Sequence, residues 1–273
     1  MTLTRREFVT GGALSLALLA LPPDAFRVFL PLVARQTPRH PKRGVAATYW
    51  RARDVRAVGA GWYYTWSPTP PLMAGAEAVP MIWGRFEGCP TLGGNSDYLL
   101  GFNEPDEEMQ ANLTTREGAR LWRQLEQCYP ERKLVSPAMA FDLGWLERMV
   151  QRYREMYHAT PRFDALAFHG YRWADWYDGM RRDADRLWAW REEWGVPEGL
   201  WLTEFGNHWL AVPEQAREMQ RVLDWLNTDE RVDRYAWFAT RYEATEWFAP
   251  GWNTQLIDWQ TDELTLLGEV YAR

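Results

Sequence analysis

The sequence predicts a closed (β/α)8 barrel, an α/β fold of the TIM-barrel type with short or degenerate helices in its first half. Three observations carry that expectation. Eight apolar runs recur between Gly44 and Ala239, with helical patterns separating the later ones, which is the alternation that builds parallel sheets. Two of these runs, Tyr98 to Asn103 and Gly199 to Thr203, are closed by a glutamate, Glu104 and Glu204. Ligands bind at the carboxyl ends of parallel strands, and two carboxylates about a hundred residues apart share one site only if the sheet brings those ends together. Third, 273 residues of which 47% are hydrophobic suit one large core better than two domains.

In chain order, residues 1–25 read as an export signal outside the fold. Thr4-Arg5-Arg6-Glu7-Phe8-Val9, followed by the apolar run Gly11 to Leu21, is similar to a twin-arginine leader with its charged head and short apolar segment. Eleven apolar residues fall short of the ~20 that span a bilayer as a helix. Ala25 and Ala34 lack the small partner two residues earlier that a cleavage site needs, so retention of the segment as an N-terminal anchor stays open. A location outside the cytoplasm is expected, whether secreted, periplasmic or at the cell surface, with membrane contact only through an uncleaved signal. Residues 26–43 read as a linker, because Arg27 to Arg43 holds three Pro and five Lys/Arg. The folded body is then 44–273.

The expected strands are Gly44 to Ala47, Gly61 to Trp66, Val79 to Trp83, Tyr98 to Asn103, Lys133 to Ala138, Ala165 to Tyr171, Gly199 to Thr203 and Arg234 to Ala239. Pro105 ends the fourth, since it has no N–H for a ladder and biases Glu104 toward an extended backbone. A helix begins after Thr114, with Glu117 completing a capping box and Trp122, Leu125 and Cys128 recurring on one face. Further helices are expected over Trp145 to Tyr157, Asp183 to Trp194 and Pro213 to Asn227, the last with Pro early in its first turn. The crossovers Ser67 to Ala78 and Gly84 to Asp97 are short and rich in Pro and Gly, so helices there should be small or missing.

Residues 1–43 carry seven Lys/Arg against two Asp/Glu, and the rest carries 24 against 35, a net charge of −11. That balance argues against a nucleic-acid partner and suits a neutral ligand. Eighteen Trp exceed what a core of this size needs, and sugar rings offer apolar C–H faces that stack on indole. The two Cys, Cys89 and Cys128, are expected near opposite ends of the barrel and therefore as separate thiols. The four His and two Cys make no ligand set, so neither a metal nor a cofactor is expected.

Numbered along the chain, Glu104 closes strand four and Glu204 strand seven. With Arg43-Gly44, Val79 to Gly84 (VPMIWG), Leu99 to Asp106 (LLGFNEPD), Gln110 to Asn112, Ser136 to Ala138, Phe168 to Tyr171 (FHGY), Trp201 to Gly206 (WLTEFG), Arg234 to Phe238 (RYAWF) and Leu264 to Tyr271 (LTLLGEVY), the chain resembles glycoside hydrolase family 128, which contains β-1,3-glucanases. The resemblance runs from about Lys42 to Tyr271. It implies Glu104 as acid/base, Glu204 as nucleophile, retention of anomeric configuration and a polysaccharide substrate, with β-1,3-glucan foremost. It also makes Asn103 the residue that meets the sugar 2-OH.

Successive strand residues point to opposite faces, so Asn103 and Glu104 both reach a ligand only if the strand ends or bulges there. His169 and Tyr171, two apart on the sixth strand, are placed to bond the nucleophile or the sugar, although a satisfied core histidine remains an equal reading of His169. Trp237 is the expected stacking platform, and Trp66, Trp83, Trp247 and Trp252 fall at or beyond strand ends where binding loops lie. A monomer is expected. A sugar-binding protein without catalysis, and a glycosidase acting on a β-1,4-linked polymer, stay open as alternatives.

Overall fold

The computed structural model describes residues 40–73, 75–171, 175–243 and 252–273. The leader, most of the linker and the binding candidate Trp247 therefore lie outside the described residues. Eight parallel strands succeed one another: β1 (His40–Ala46), β2 (Ala60–Tyr64), β3 (Glu77–Ala78), β4 (Tyr98–Leu100), β5 (Lys133–Val135), β6 (Leu166–Gly170), β7 (Leu200–Phe205) and β8 (Val232–Phe238). Six of them pair in the order β3-β2-β1-β8-β7-β6, and β4 pairs with β5. Parallel bridges carry the ladder across the two gaps, Met81 to Leu100 before β4 and Val135 to Ala165 after β5, so pairing runs round the ring and returns from β8 to β1. Strand β1 begins at His40, three residues before the expected end of the linker at Arg43.

Helices α1 (Ala52–Ala57), α2 (Thr115–Cys128), α3 (Gly144–Tyr157), α4 (Trp176–Trp194), α5 (Val212–Thr228) and α6 (Leu266–Tyr271) cover the ring. The Thr114 hydroxyl and the Glu117 carboxylate close the capping box at the start of α2. No helix lies between β2 and β3 or between β3 and β4 among the described residues. Where a helix would cover β3 and β4, the loop after β3 packs instead, with Phe86 and Leu92 against the core and the Gly88 carbonyl accepting from Gln124 Nε2 at 2.8 Å. That course corrects the expectation of separate thiols. The loop descends beside α2 and brings the Cys89 and Cys128 Cα atoms to 5.4 Å, where a disulfide joins them across 39 residues of sequence.

Alternation along each strand divides the apolar side chains into two layers. Val45, Tyr63, Leu99, Leu134, Leu166, Leu202 and Tyr235 face the helices. Ala46, Trp62, Tyr64, Leu100, Val135, Ala167, Trp201 and Ala236 fill the interior. Small and large residues share that interior, since a Cβ on Gly44 would stand 2.2 Å from the Trp62 ring. Lower in the barrel the Arg234 guanidinium lies 4.4 Å from the Trp201 ring centroid and 4.7 Å from that of Tyr98, and bonds Glu77 at 2.8 Å. The base is thus plugged, and the open end is the one where the strands stop.

Candidate active site

Glu104 stands just past β4 in a left-handed backbone conformation, φ 45°, which only a well-supported turn imposes on a residue with a side chain. The support is visible: the Glu104 N–H donates to the Ala138 carbonyl at 2.8 Å and the Asn103 N–H to that of Trp83 at 2.8 Å. This turn resolves the alternation problem, because both Asn103 and Glu104 line one cleft. Glu204 lies inside β7, where the register with β8 shifts between Leu202 and Phe205 and that with β6 between Phe168 and His169. Such bulges re-aim side chains at barrel rims.

Three donors converge on Glu204. Tyr64 Oη and Trp66 Nε1 donate to Oε1 at 2.7 and 2.9 Å, and Tyr171 Oη donates to Oε2 at 2.5 Å. Glu104 has a different neighbour, His169, whose Nδ1 is 2.8 Å from Glu104 Oε1 while Nε2 stands 3.7 Å from Glu204 Oε1. A carboxylate oxygen of Glu104, one of Glu204 and a ring nitrogen of His169 all lie within 4.8 Å of one another.

Burial pushes the Glu104 carboxyl up, the His169 bond and charge pull it back in part, and the charges of Glu204 and Asp106 add to the rise. Burial pulls the His169 imidazole down, but the carboxylates of Glu204 and Glu104 outweigh it and the net shift is upward. Burial and then the Glu204 charge hold the Tyr64 and Tyr171 hydroxyls well above the usual phenol range, so both stay proton donors.

The cleft above these groups measures about 490 Å³ and is walled by Trp66, Trp83, Phe141, Trp209, Phe238 and Trp252. Trp66, Trp83 and Trp252 are thus at the site. Trp237 is not: it is fully buried, donates Nε1 to the Thr254 carbonyl at 2.6 Å and packs on Phe205, Trp176 and Tyr271 in the helix-facing layer. Phe238, the next residue, takes the cleft position. The expectation failed because β8 alternates without a break, Tyr235 and Trp237 toward the helices and Ala236 and Phe238 inward, so strand parity and not the size of the indole decides which ring meets the cleft.

The glycosyl hydrolase catalytic core model matches residues 48–271. The chain belongs to this family. No curated protein matches it. Among solved structures, this hydrolase is similar to an endo-β-1,3-glucanase of glycoside hydrolase family 128, subgroup II, from Pseudomonas viridiflava, with 28% identity, a TM-score of 0.68 and coverage of 86% of this chain and 98% of that one. A subgroup I endo-β-1,3-glucanase from Amycolatopsis mediterranei in complex with laminaritriose shows 29% identity, a TM-score of 0.68 and coverage of 85% and 99%. A subgroup III curdlan-specific exo-β-1,3-glucanase from Blastomyces gilchristii in complex with glucose shows 26%, 0.66, 85% and 99%.

Several residues of the hydrolase's cleft escaped the sequence reading. Tyr64, which donates to Glu204 from the end of β2, had a signal, standing two residues before Trp66 in the expected strand Gly61 to Trp66. His208, the alternative to His169 for the place beside Glu204, instead lines the cleft and stacks on Trp252 at 4.0 Å between centroids, and His169 stands between the two glutamates. Phe141, on the cleft wall, and Asp106, two residues past Glu104, carried no periodic signal. Glu104, His169 and Glu204 offer one atom each to a cation, yet the hydrogens of Tyr64, Trp66 and Tyr171 already occupy three of the four acceptor directions of Glu204. The arrangement is built for a carboxyl pair.

Proposed function

We propose that this hydrolase cuts β-1,3-glucan internally by double displacement with retention, Glu104 serving as acid/base and Glu204 as nucleophile. The observation that carries the reading is the pair of carboxyl groups, with oxygens within 4.8 Å. Retaining glycosidases hold the two groups about 5–5.5 Å apart so that one attacks the anomeric carbon, whereas inverting enzymes leave roughly 6.5–9.5 Å for a water. The environments divide the roles. Glu104 is buried and raised toward its neutral form, as a proton donor to the leaving oxygen requires. Glu204 is held rigidly by three donors and meets the oxocarbenium-like centre. After the first step Glu104, now ionised, takes a proton from the incoming water. Asn103, with its buried Oδ1 free of protein partners, is assigned to the substrate hydroxyl beside the reacting carbon, and the aromatic walls to sugar faces.

Laminaritriose in the Amycolatopsis enzyme supports the linkage, and the two endo-acting relatives support internal cleavage. Export by the twin-arginine-type leader belongs to the same proposal, supported by the Cys89–Cys128 disulfide, a bond that persists in oxidising compartments. The chain carries both carboxylates itself, so a monomer suffices. The test is a panel of β-1,3-, β-1,4- and mixed-linkage glucans, mannan and xylan, scored by new reducing ends. Laminarin-type glucan should be cut first, and Glu104→Gln or Glu204→Gln should each lower that activity by ~10³-fold or more. More than about a tenth of the activity remaining in either variant would overturn the roles, and preferential cleavage of another polymer would overturn the linkage.

A further inference from the structure

Asp106 lies two residues beyond Glu104 and takes no part in the carboxyl pair. Its Oδ1 accepts from the Ala140 N–H at 3.0 Å, and its Oδ2 accepts from the N–H groups of Phe141 at 3.0 Å and Asp142 at 2.9 Å. These three amides precede α3 in a stretch that is neither helix nor strand, so the Asp106 carboxylate provides the acceptors that regular structure would otherwise supply. The clamp joins the turn that presents Glu104 to the loop that presents Phe141. Phe141 is 52% exposed and lines the cleft that holds Glu104 and Glu204. A phenyl ring left half in water at the wall of a binding cleft is a surface for an apolar ligand face.

We propose that Phe141 is a specificity-determining contact that stacks on a glucosyl unit away from the cleavage point, and that Asp106 is a positioning residue that fixes this ring through the three amides of residues 140–142. The inference rests on the glucanase reading above and adds to it a named subsite and its support. Because Asp106 follows the acid/base on one turn, recognition of the outer sugar and placement of the reacting carboxyl are coupled through a single short segment of chain.

The test uses the full chain with laminaribiose- and laminarihexaose-based substrates. Phe141→Ala should raise KM for laminarihexaose about five- to tenfold while kcat changes far less, and should leave KM for the shorter substrate nearly unaltered. Phe141→Trp should restore the wild-type KM. Asp106→Asn, whose amide cannot accept three N–H groups, should raise KM for the hexaose in the same manner, and the double variant should be no worse than the larger single effect. An unchanged hexaose KM in Phe141→Ala, or an Asp106→Asn variant that melts earlier yet keeps its KM, overturns the proposal. Calorimetric titration of laminarihexaose into the same variants in a Glu204→Gln background reads the subsite without turnover. Weakened binding there supports the Phe141 subsite even where the wild type cuts nothing, and unaltered binding refutes it.

Discussion

At the end of β7 three side-chain donors, from Tyr64, Trp66 and Tyr171, meet Glu204, while at the end of β4 Glu104 meets one imidazole and has the Asp106 carboxylate two residues away. Both carboxyls are buried. Desolvation pushes the Glu104 carboxyl toward its neutral form, and the two sites differ in what surrounds them. Donors at β7 supply what water would have supplied to a carboxylate. Negative neighbours at β4 reinforce the effect of burial. On the roles proposed above, one barrel rim makes an acid and a nucleophile from the same residue type by changing the hydrogen-bond partners and the neighbouring charges. The backbone reflects this, since Trp66 (φ 53°) and Glu104 (φ 45°) both sit in the left-handed region, a conformation costing on the order of 1–3 kcal/mol that persists where surrounding structure enforces it.

Among variants that keep both glutamates, the largest effects should come from stripping the β7 side. Tyr171→Phe, Tyr64→Phe and Trp66→Phe each delete one hydrogen bond to Glu204, and a bond to a charged group contributes roughly 1.5–3 kcal/mol. Each variant should therefore lose about ten- to a hundredfold in kcat/KM. An activated aryl laminaribioside, whose leaving group needs no proton, should restore first-step turnover to Glu104→Gln but not to these three. Equal rescue on both sides would break the distinction between the two ends.

Smaller and opposite effects are expected at the β4 side. An acid donates only while protonated, so activity falls as pH rises through the Glu104 pKa. His169→Asn removes the bond and charge that pull that pKa down, so the alkaline limb of kcat/KM should move to higher pH. Asp106→Asn removes a charge that pushes it up, so the limb should move to lower pH. Profiles that shift in the same direction would contradict the assignment of Glu104 as the titrating acid.

Glu104 and Glu204 were legible because each closes an apolar run, and the capping box of α2 because its chemistry is local. The weak helices of the first half were legible too, since Pro and Gly crowd the crossovers after β2 and β3. What stayed hidden depends on geometry between segments. Trp237 and Phe238 exchanged places because the residues of β8 do not show which of its two faces looks inward, and it is Ala236 and Phe238 that do. The Cys89–Cys128 bond depends on the path of a loop past α2, and Asp106 acts on amides 34 to 36 residues away. Trp66 was expected to face sugar and does line the cleft, but its indole N–H also holds Glu204, a role that only the folded strand ends disclose.

Trapping the covalent intermediate tests the division of labour between the two glutamates most directly. A 2-fluoro laminaribioside with an activated aryl leaving group slows both displacements, because fluorine destabilises the oxocarbenium-like transition states, while the leaving group speeds only the first. The sugar should then accumulate on the enzyme, and mass spectrometry of the digested protein should find it on the peptide containing Trp201 to Gly206, bound to Glu204. A label on Glu104, or no label from a protein that releases the α anomer from β-1,3-glucan, would contradict the account.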